Sequence, residues 1–482
     1  MGIPGYYTQL KSLYVRKQLK EFADGRIFID GHSMSHMVTQ RCMPGARYDL
    51  RAVRCHMEVV LRKWLLAGWK IEMILFDGLT PLSKFKETER RRDIRVKEGI
   101  EANSFCLPAG CADVCSDTVL SQFPDIPCRI APEECDDILA SLVYNYATQN
   151  PGKPTYVMTN DTDFCAFDFP DNVVILNTSV FGIDAGVINT LNPAKTLKER
   201  FNLAPSLAGY GAMEFTKLSK CEPLKDEDGY KKFAESQMAI LKRFSFGSAQ
   251  DYIKDEHASR VYSLLSDTDE NNAHRVVNAW FDCGQLYTFL QVLCEPKDAE
   301  YAFDAGRKWR SVAYELILEK IGADSASDQF QEHGRKGDVT HCYDLPVTDK
   351  SRAVFDAEQK NYKLQTRQQI LDEIAGWDID SMTLAIWEEA LLTTPQSNGE
   401  YNEEALRDLS KNFLSQIIRL EGGPRKLCSP LRQEYLRFYN KFFAIFQSLR
   451  LLEAAGVRLP VTIKSYDLDG SLWYILARQA ER

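Results

Sequence analysis

Four short apolar runs in the first part of the chain each lead into acidic residues. Arg26-Ile-Phe-Ile runs into Asp30, and Ile71-Glu-Met-Ile-Leu-Phe runs into Asp77. Cys128-Arg-Ile-Ala-Pro leads to Glu134 and Asp136, and Thr155-Tyr-Val-Met-Thr-Asn runs into Asp161 and Asp163. Runs this short and this apolar read as strands. Between them lie stretches with apolar residues at helical spacing: Val53, Met57, Val60, Leu61, Trp64 and Leu65, then Ile138, Leu139, Leu142 and Val143. Another helix can open over residues 33–41, and Asn172-Val-Val-Ile-Leu supplies one more strand. Strands alternating with helices form βαβ units and a mostly parallel sheet. The C-terminal strand ends of such a sheet share one edge, and ligands bind there. The six acids are therefore expected to meet.

That expectation has an electrostatic consequence. Two carboxylates about 5 Å apart repel by roughly 3 kcal/mol at an effective dielectric near 20. Six in one cleft exceed what a domain's marginal stability tolerates unless protons or cations neutralise them. Oxygen donors select hard cations, Mg²⁺ or Mn²⁺. A pair of such ions can hold a scissile phosphate, generate hydroxide and stabilise the leaving oxygen. Taken singly, each acid has a plainer reading as a turn residue or helix N-cap. Asp136 and Asp137, for instance, suit the start of a helix.

Composition narrows the class. The 482 residues suffice for two or three domains, and 44% hydrophobic with 26% charged residues fits a globular protein. No apolar run is long enough to span a bilayer. The opening Met1-Gly-Ile-Pro-Gly-Tyr-Tyr lacks the basic and apolar regions of a secretory signal. Tyr6 stands where a myristoylation pattern needs Ser or Thr. The 13 cysteines read as reduced thiols of an intracellular protein. Cys106, Cys111, Cys115 and Cys128 are dense enough to consider zinc, but none of their spacings is a short zinc knuckle. The net charge of −9 argues against a general polyanion binder. It leaves room for an acidic site beside a local basic strip.

The motifs in sequence resemble the flap endonuclease/XPG superfamily, whose nuclease domain is PIN-like. The opening Met1-Gly-Ile-Pro-Gly resembles its start, and Ile29-Asp30-Gly31 its first motif. Phe76-Asp77-Gly78 with Pro81 resembles its FDGxxP motif. Ala131-Pro132-Glu133-Glu134-Cys135-Asp136 resembles its APxExE motif, with Asp136 replacing the second Glu, and Asn160-Asp161-Thr162-Asp163 its xDxD motif. Order and spacing match over about residues 1–180. Within the superfamily the chain most resembles asteroid-type proteins, which join the nuclease core to a divergent helical part. The resemblance implies metal ligation by Asp30, Asp77, Glu134, Asp136, Asp161 and Asp163, two Mg²⁺ or Mn²⁺ ions, and a location in the nucleus rather than the cytoplasm. It implies phosphate contacts from Lys84 and Arg91 and places Gly2 at a buried N-terminus beside the site.

Two departures stand out. The stretch Leu207-Ala-Gly-Tyr-Gly-Ala-Met-Glu-Phe-Thr lacks the Asp of the family's LGxDY-like segment, with only Glu214 nearby, and no duplex-gripping hairpin follows. His36 stands where the family has a base-stacking Tyr. An imidazole can stack on a base, although a lone helical His usually has a structural role.

A basic strip follows Asp77: Lys84, Lys86, Arg90, Arg91, Arg92, Arg95 and Lys97, interleaved with Glu87, Glu89 and Asp93. On a helix Lys84, Arg91 and Arg95 share one face with Arg92 close by, an arrangement suited to a phosphate backbone. The plainer reading is a solvated helix held by pairs such as Glu87–Arg91. Residues 101–127, with Pro, Gly and Cys, read as an irregular insertion.

Beyond about residue 205 helical patterns dominate, at Val276–Leu293, Trp309–Ile321, Leu406–Leu420 and Arg437–Ala454, with exposed loops expected at 323–350 and 393–403. The expected architecture is an α/β PIN-like domain over residues 1–205 and an α-helical domain over 206–482. The expected activity is metal-dependent hydrolysis of phosphodiester bonds in nucleic acid, single-stranded or branched DNA before RNA, with no membrane partner. The alternatives are a PIN-like scaffold without nuclease activity, serving RNA regulation or protein interaction, and a metal phosphatase acting on a small substrate.

Overall fold

The computed structural model describes residues 2–3, 5–41, 50–78, 87, 90–91, 110–131, 134–182, 186–218, 227–243, 287–289, 302–321, 329–336, 339–346, 366–392 and 430–460. They fall into two units. The first draws on residues 1–41, 55–78 and 118–252, the second on residues 42–54, 79–117 and 253–482.

The chain opens with helix α1 (Tyr6–Leu10), strand β1 (Val15–Gln18), strand β2 (Arg26–Asp30), helix α2 (Gly31–Arg41), helix α3 (Leu50–Leu66) and strand β3 (Ile71–Phe76). It continues through α4 (Cys111–Gln122), β4 (Cys128–Ile130), α5 (Cys135–Gln149), β5 (Thr155–Met158), β6 (Val173–Gly182) and β7 (Val187–Leu191). Three helices follow, α6 (Pro193–Phe201), α7 (Pro205–Leu218) and α8 (Glu227–Arg243). The expected boundary near residue 205 falls between α6 and α7, and α7 and α8 belong to the first unit.

The seven strands form one mixed sheet in the order β1-β7-β6-β5-β2-β3-β4. Pairings β6–β5, β5–β2, β2–β3 and β3–β4 are parallel, while β7 is antiparallel to β6 and β1 to β7. This is the expected α/β architecture with a mostly parallel sheet. From β2 the chain winds outward through β3 to β4, then returns to the other side of β2 as β5. The strand order therefore reverses between β2 and β5, where such sheets carry their crevice. Ile27, Phe28 and Ile29 of β2 and Val157 and Met158 of β5 have no exposed surface. Burial on both faces is why these strands read as unbroken apolar runs rather than alternating ones. Below them Trp64 stacks on Trp69 at 4.9 Å between ring centres, and Trp69 donates its indole N–H to the Leu19 carbonyl at 2.8 Å.

The segment expected to be irregular, 101–127, contains helix α4 instead. Cys111, Val114, Cys115 and Val119 are buried at helical spacing. Pro108 and Gly110 precede this helix and Pro124 and Pro127 follow it, so the breakers bracket it rather than interrupt it. The antiparallel strands β1 and β7 are additions to the sequence reading. All four residues of β1 are exposed, so its sequence carries no apolar signal.

Beyond residue 252 the described helices and strands of the second unit include β8 (Tyr287–Phe289), α9 (Arg307–Ile321), β9 (Gln329–Lys336), β10 (Val339–Pro346), α10 (Arg367–Ala375), α11 (Ile379–Leu392) and α12 (Pro430–Ala454). The helices expected at Trp309–Ile321 and Arg437–Ala454 lie within α9 and α12. Two expectations are corrected. Residues 323–350 are not simply a loop, because β9 and β10 pair antiparallel there with Lys336 opposite Val339. Tyr287–Phe289, expected to be helical, is extended and pairs parallel with β9. The signal for the hairpin was Gly337-Asp338 between two runs of equal length, masked by their polar composition. The segments 393–403 and Leu406–Leu420 lie outside the described residues. Among the described residues no helix is long and apolar enough to cross a membrane.

Arg310 organises the core of this unit. It is buried and donates to the Ala305 carbonyl at 3.1 Å, the Ser448 hydroxyl at 2.9 Å and the Phe303 carbonyl at 2.5 Å. The equally buried Glu389 accepts from the Gly306 N–H at 3.1 Å and faces Lys308 Nζ at 3.3 Å. These buried charges belong to the packing of α9, α11 and α12.

Candidate active site

Asp30 is the last residue of β2, and the chain turns directly into α2. Gly31 allows the turn, since a Cβ there would stand 2.6 Å from the Phe76 ring. Phe76 ends β3, and the parallel pairing of β3 with β2 sets Asp30 and Asp77 on neighbouring strand ends. The Asp30 carboxylate is 5% exposed and heavily bonded. Its Oδ1 accepts from the Ser33 N–H at 3.0 Å, which caps α2. Its Oδ2 accepts from the Ser33 hydroxyl at 2.6 Å and from the Thr159 hydroxyl at 2.7 Å.

Asp77 follows β3 and reaches the start of α5, where its Oδ1 accepts from the Cys135 N–H at 2.8 Å. The N-cap residue of that helix is Glu134, whose own side chain makes no capping bond. Asp77 thus supplies from another strand the anion that the helix N-terminus favours. The Asp77 N–H lies 3.2 Å from His32 Nδ1, which also stands 3.4 Å from Asp77 Oδ2. One nitrogen cannot both accept the amide proton and donate to the carboxylate. The amide must donate, so Nδ1 accepts and the imidazole carries its proton on Nε2.

Asp161 and Asp163 flank the first residue of a short 3-10 turn (Thr162–Ala166) after β5. Asp161 caps the turn, accepting from the Asp163 N–H at 3.0 Å, and donates its own N–H to Thr159 Oγ1 at 2.9 Å. Gly2 has a positive φ of 98° and lies directly against the Asp161 carboxylate and Thr162, with no room for a side chain. Gly2 thus stands beside Asp161.

Asp136, in the first turn of α5, is the electrostatic centre of the group. Burial holds its carboxyl well above the usual carboxylate range, and Asp77, Asp161, Asp30 and Glu134 each push it further in that order. Asp30 is also held up, first by burial and then by Asp77, while its Ser33 and Thr159 hydrogen bonds pull the other way. Two thiols register the same field. Cys135 is pushed up by burial and by Asp77, Asp30 and Asp136. Cys165 is pushed up to about 12 by burial, with Asp161 and Asp163 adding and its Tyr14 hydrogen bond opposing.

The structure therefore brings Asp30, Asp77, Glu134, Asp136 and Asp161 into one interacting group, with Asp163 tied to Asp161 through its backbone. Among the described residues no three His, Cys, Asp or Glu side chains close on one point at ligating distance. The acids share a field rather than a ready-made ligand shell. The donor chemistry nonetheless fits a hard divalent cation, because every donor is a carboxylate oxygen. Asp30 has three acceptor positions taken, which leaves one lone pair, on Oδ1.

The basic strip is seen only in part. Lys84, Arg92 and Arg95 lie outside the described residues. Arg91 Nε and Arg90 Nε each lie 2.7 Å from the Glu87 carboxylate, and these hydrogen bonds hold the Glu87 carboxyl down at about 2. The i,i+4 pair foreseen as the plain alternative is thus present. Cys106 also lies outside the described residues, while Cys111, Cys115 and Cys128 are buried and in no disulfide. Glu214 lies within α7.

Sequence reasoning did not single out Ser33, Thr159 and His32. A faint signal existed for each hydroxyl: Ser33 stands at capping distance after Asp30, and Thr159 two residues before Asp161. His32 had none, since its partner is a backbone amide on another strand.

The sequence matches no known family and no curated protein. Solved structures that resemble the chain include the following two. The catalytic core of Rad2 in complex with a DNA substrate aligns over 53% of this chain and 86% of that one, at 14% identity and a TM-score of 0.30. Human GEN1 in complex with Holliday junction DNA aligns over 77% and 94%, at 13% identity and a TM-score of 0.30. Likeness this remote says nothing of activity, and the functional case rests on the side chains at the sheet edge.

Proposed function

We propose that the chain is a divalent-metal-dependent nuclease that hydrolyses phosphodiester bonds in nucleic acid, acting on single-stranded or branched DNA. One observation carries the reading. Asp136 sits at the head of α5 with carboxyl groups from three other strand ends pressing on it, and its main influences all raise its pKa. A fold has no use for such repulsion as packing, and a cation relieves it. The order of the motifs, which resembles that of the XPG superfamily, points the same way.

Asp77, Glu134, Asp136, Asp161 and Asp163 would hold Mg²⁺ or Mn²⁺, with Asp30 contributing its remaining lone pair. Bound there, such ions activate water and stabilise charge on the attacking and leaving oxygens. The protein's own part is positional. The α5 N-terminus orients Asp77 through the Cys135 N–H, and the 3-10 turn holds Asp161 and Asp163 in fixed register. Gly2 lies close against Asp161, where a side chain would not fit. Lys84, Arg91, Arg92 and Arg95 would take the phosphate backbone, with Arg91 exchanging Glu87 for phosphate.

The test is cleavage of labelled single-stranded, flapped and duplex DNA, and of matched RNA, by the full chain in Mn²⁺ and in EDTA. The reading expects Mn²⁺-dependent cleavage of single-stranded or branched DNA that falls about 100-fold or more in Asp161→Ala. Cleavage that survives EDTA, or is unchanged in that variant, overturns it. Mn²⁺ binding without cleavage of any substrate would instead favour the scaffold.

A further inference from the structure

Each of two hydroxyls at the β2–β5 junction is used twice. Ser33 Oγ donates to Asp30 Oδ2 at 2.6 Å and accepts from the Asn160 N–H at 3.0 Å. Thr159 Oγ1 donates to the same Oδ2 at 2.7 Å and accepts from the Asp161 N–H at 2.9 Å. A hydroxyl has one proton. The backbone amides can only donate, so both hydroxyl protons are directed at Asp30. The 3.4 Å approach of the two oxygens is then a contact, not a hydrogen bond. Ser33 and Thr159 are both buried, with Thr159 fully enclosed, so water does not compete for these positions.

The consequence reaches across the sheet. Asp30 ends the strand from which the chain winds one way, and Asp161 follows the strand to which it returns. Thr159 Oγ1 bonds the carboxylate of the first and the amide of the second, so the two acids are coupled through a single oxygen. Asp30 Oδ2 is saturated, and Oδ1 alone of the two oxygens keeps acceptor capacity to spare.

We infer that Ser33 and Thr159 are positioning residues of the active site: a hydroxyl clamp that fixes Asp30 relative to Asp161 and restricts Asp30 to one free lone pair toward a bound cation. The inference rests on the metal-dependent reading above. The clamp acts through Asp30, so its removal loosens the cation site without touching a substrate contact.

Calorimetric titration of the full chain with Mn²⁺ alone, beside cleavage at saturating Mn²⁺, tests the inference. Thr159→Val keeps the shape and removes the hydroxyl, Thr159→Ser restores it, and Ser33→Ala removes the partner. The clamp predicts Mn²⁺ affinity lower by about 10- to 100-fold in Thr159→Val and Ser33→Ala. It predicts recovery to near wild type in Thr159→Ser, and no further loss when Thr159→Val is added to Asp30→Asn. A purely structural hydroxyl would lower the melting temperature and leave Mn²⁺ affinity unchanged. That result, with wild type binding Mn²⁺, overturns the clamp alone. A wild-type chain that neither binds Mn²⁺ nor cleaves overturns the clamp and the functional reading together. Should Thr159→Val fail to fold, Ser33→Ala and Thr159→Ser decide by the same criteria.

Discussion

Replacing Asp136 by Asn should make the metal-free protein more stable, and only above acid pH. Asp136 is the carboxyl on which Asp77, Asp161, Asp30 and Glu134 all press. One ionised neighbour about 5 Å away costs roughly 3 kcal/mol at an effective dielectric near 20. Asp136 is half-buried, and solvent screening reduces the gain expected from Asp136→Asn to about 2 kcal/mol. The sign follows from proton binding. The folded pKa is raised, so the native state binds more protons than the unfolded chain. The protonated form supports folding fully below the unfolded pKa near 3.9, and that support is lost as pH rises through the folded pKa. Wild type and Asp136→Asn should therefore have similar stability at about pH 4 and diverge toward pH 8 in EDTA, with the variant ahead. Urea unfolding across this range measures the difference. Excess Mn²⁺ should reverse the order, because a ligand at 100 times its Kd stabilises the native state by about 2.7 kcal/mol. A wild type at least as stable as the variant in EDTA at pH 8 would refute the convergence of charge on which the site rests.

Gly31→Ala forces a Cβ to within 2.6 Å of the Phe76 ring, so it should cost about 1–3 kcal/mol in urea unfolding and lower Mn²⁺ affinity with it. His32→Ala removes the acceptor of the Asp77 N–H; a stability loss of about 1 kcal/mol by chemical denaturation is expected, with wild-type behaviour counting against the assigned tautomer. Arg91→Gln breaks an exposed pair with Glu87, so the melting temperature should hold while the salt dependence of DNA binding falls by a slope of about one. An unchanged salt slope would return Arg91 to a purely local role.

The parts legible in sequence are those whose surroundings are uniform. Ile27, Phe28 and Ile29 lie between two covered faces, so an unbroken apolar run announced β2, and β3 read the same way despite Glu72. Strand β1 could not be read, because Val15-Arg-Lys-Gln is exposed throughout and exists as a strand through its pairing with β7. The β9–β10 hairpin was hidden by polar composition, and α4 by prolines that turn out to flank it. At the site, topology alone predicted that the strand-end acids gather, since parallel strands end on one edge. Asp30 also does what the plainer reading expected and caps α2, so capping and site membership coexist in one carboxylate. Partners chosen by rotamer across strands were illegible: the two hydroxyls on Asp30, the imidazole under the Asp77 amide, and the trans-cap that Asp77 provides to α5.

Anomalous diffraction from crystals of the full chain grown with Mn²⁺ examines the cation site without reference to catalysis. The account predicts a manganese peak at coordination distance from carboxylate oxygens of Asp77, Asp136 and Asp161, with both clamp hydroxyls still on Asp30. Crystals with no manganese among these acids, or with Mn²⁺ bound only elsewhere, would contradict it.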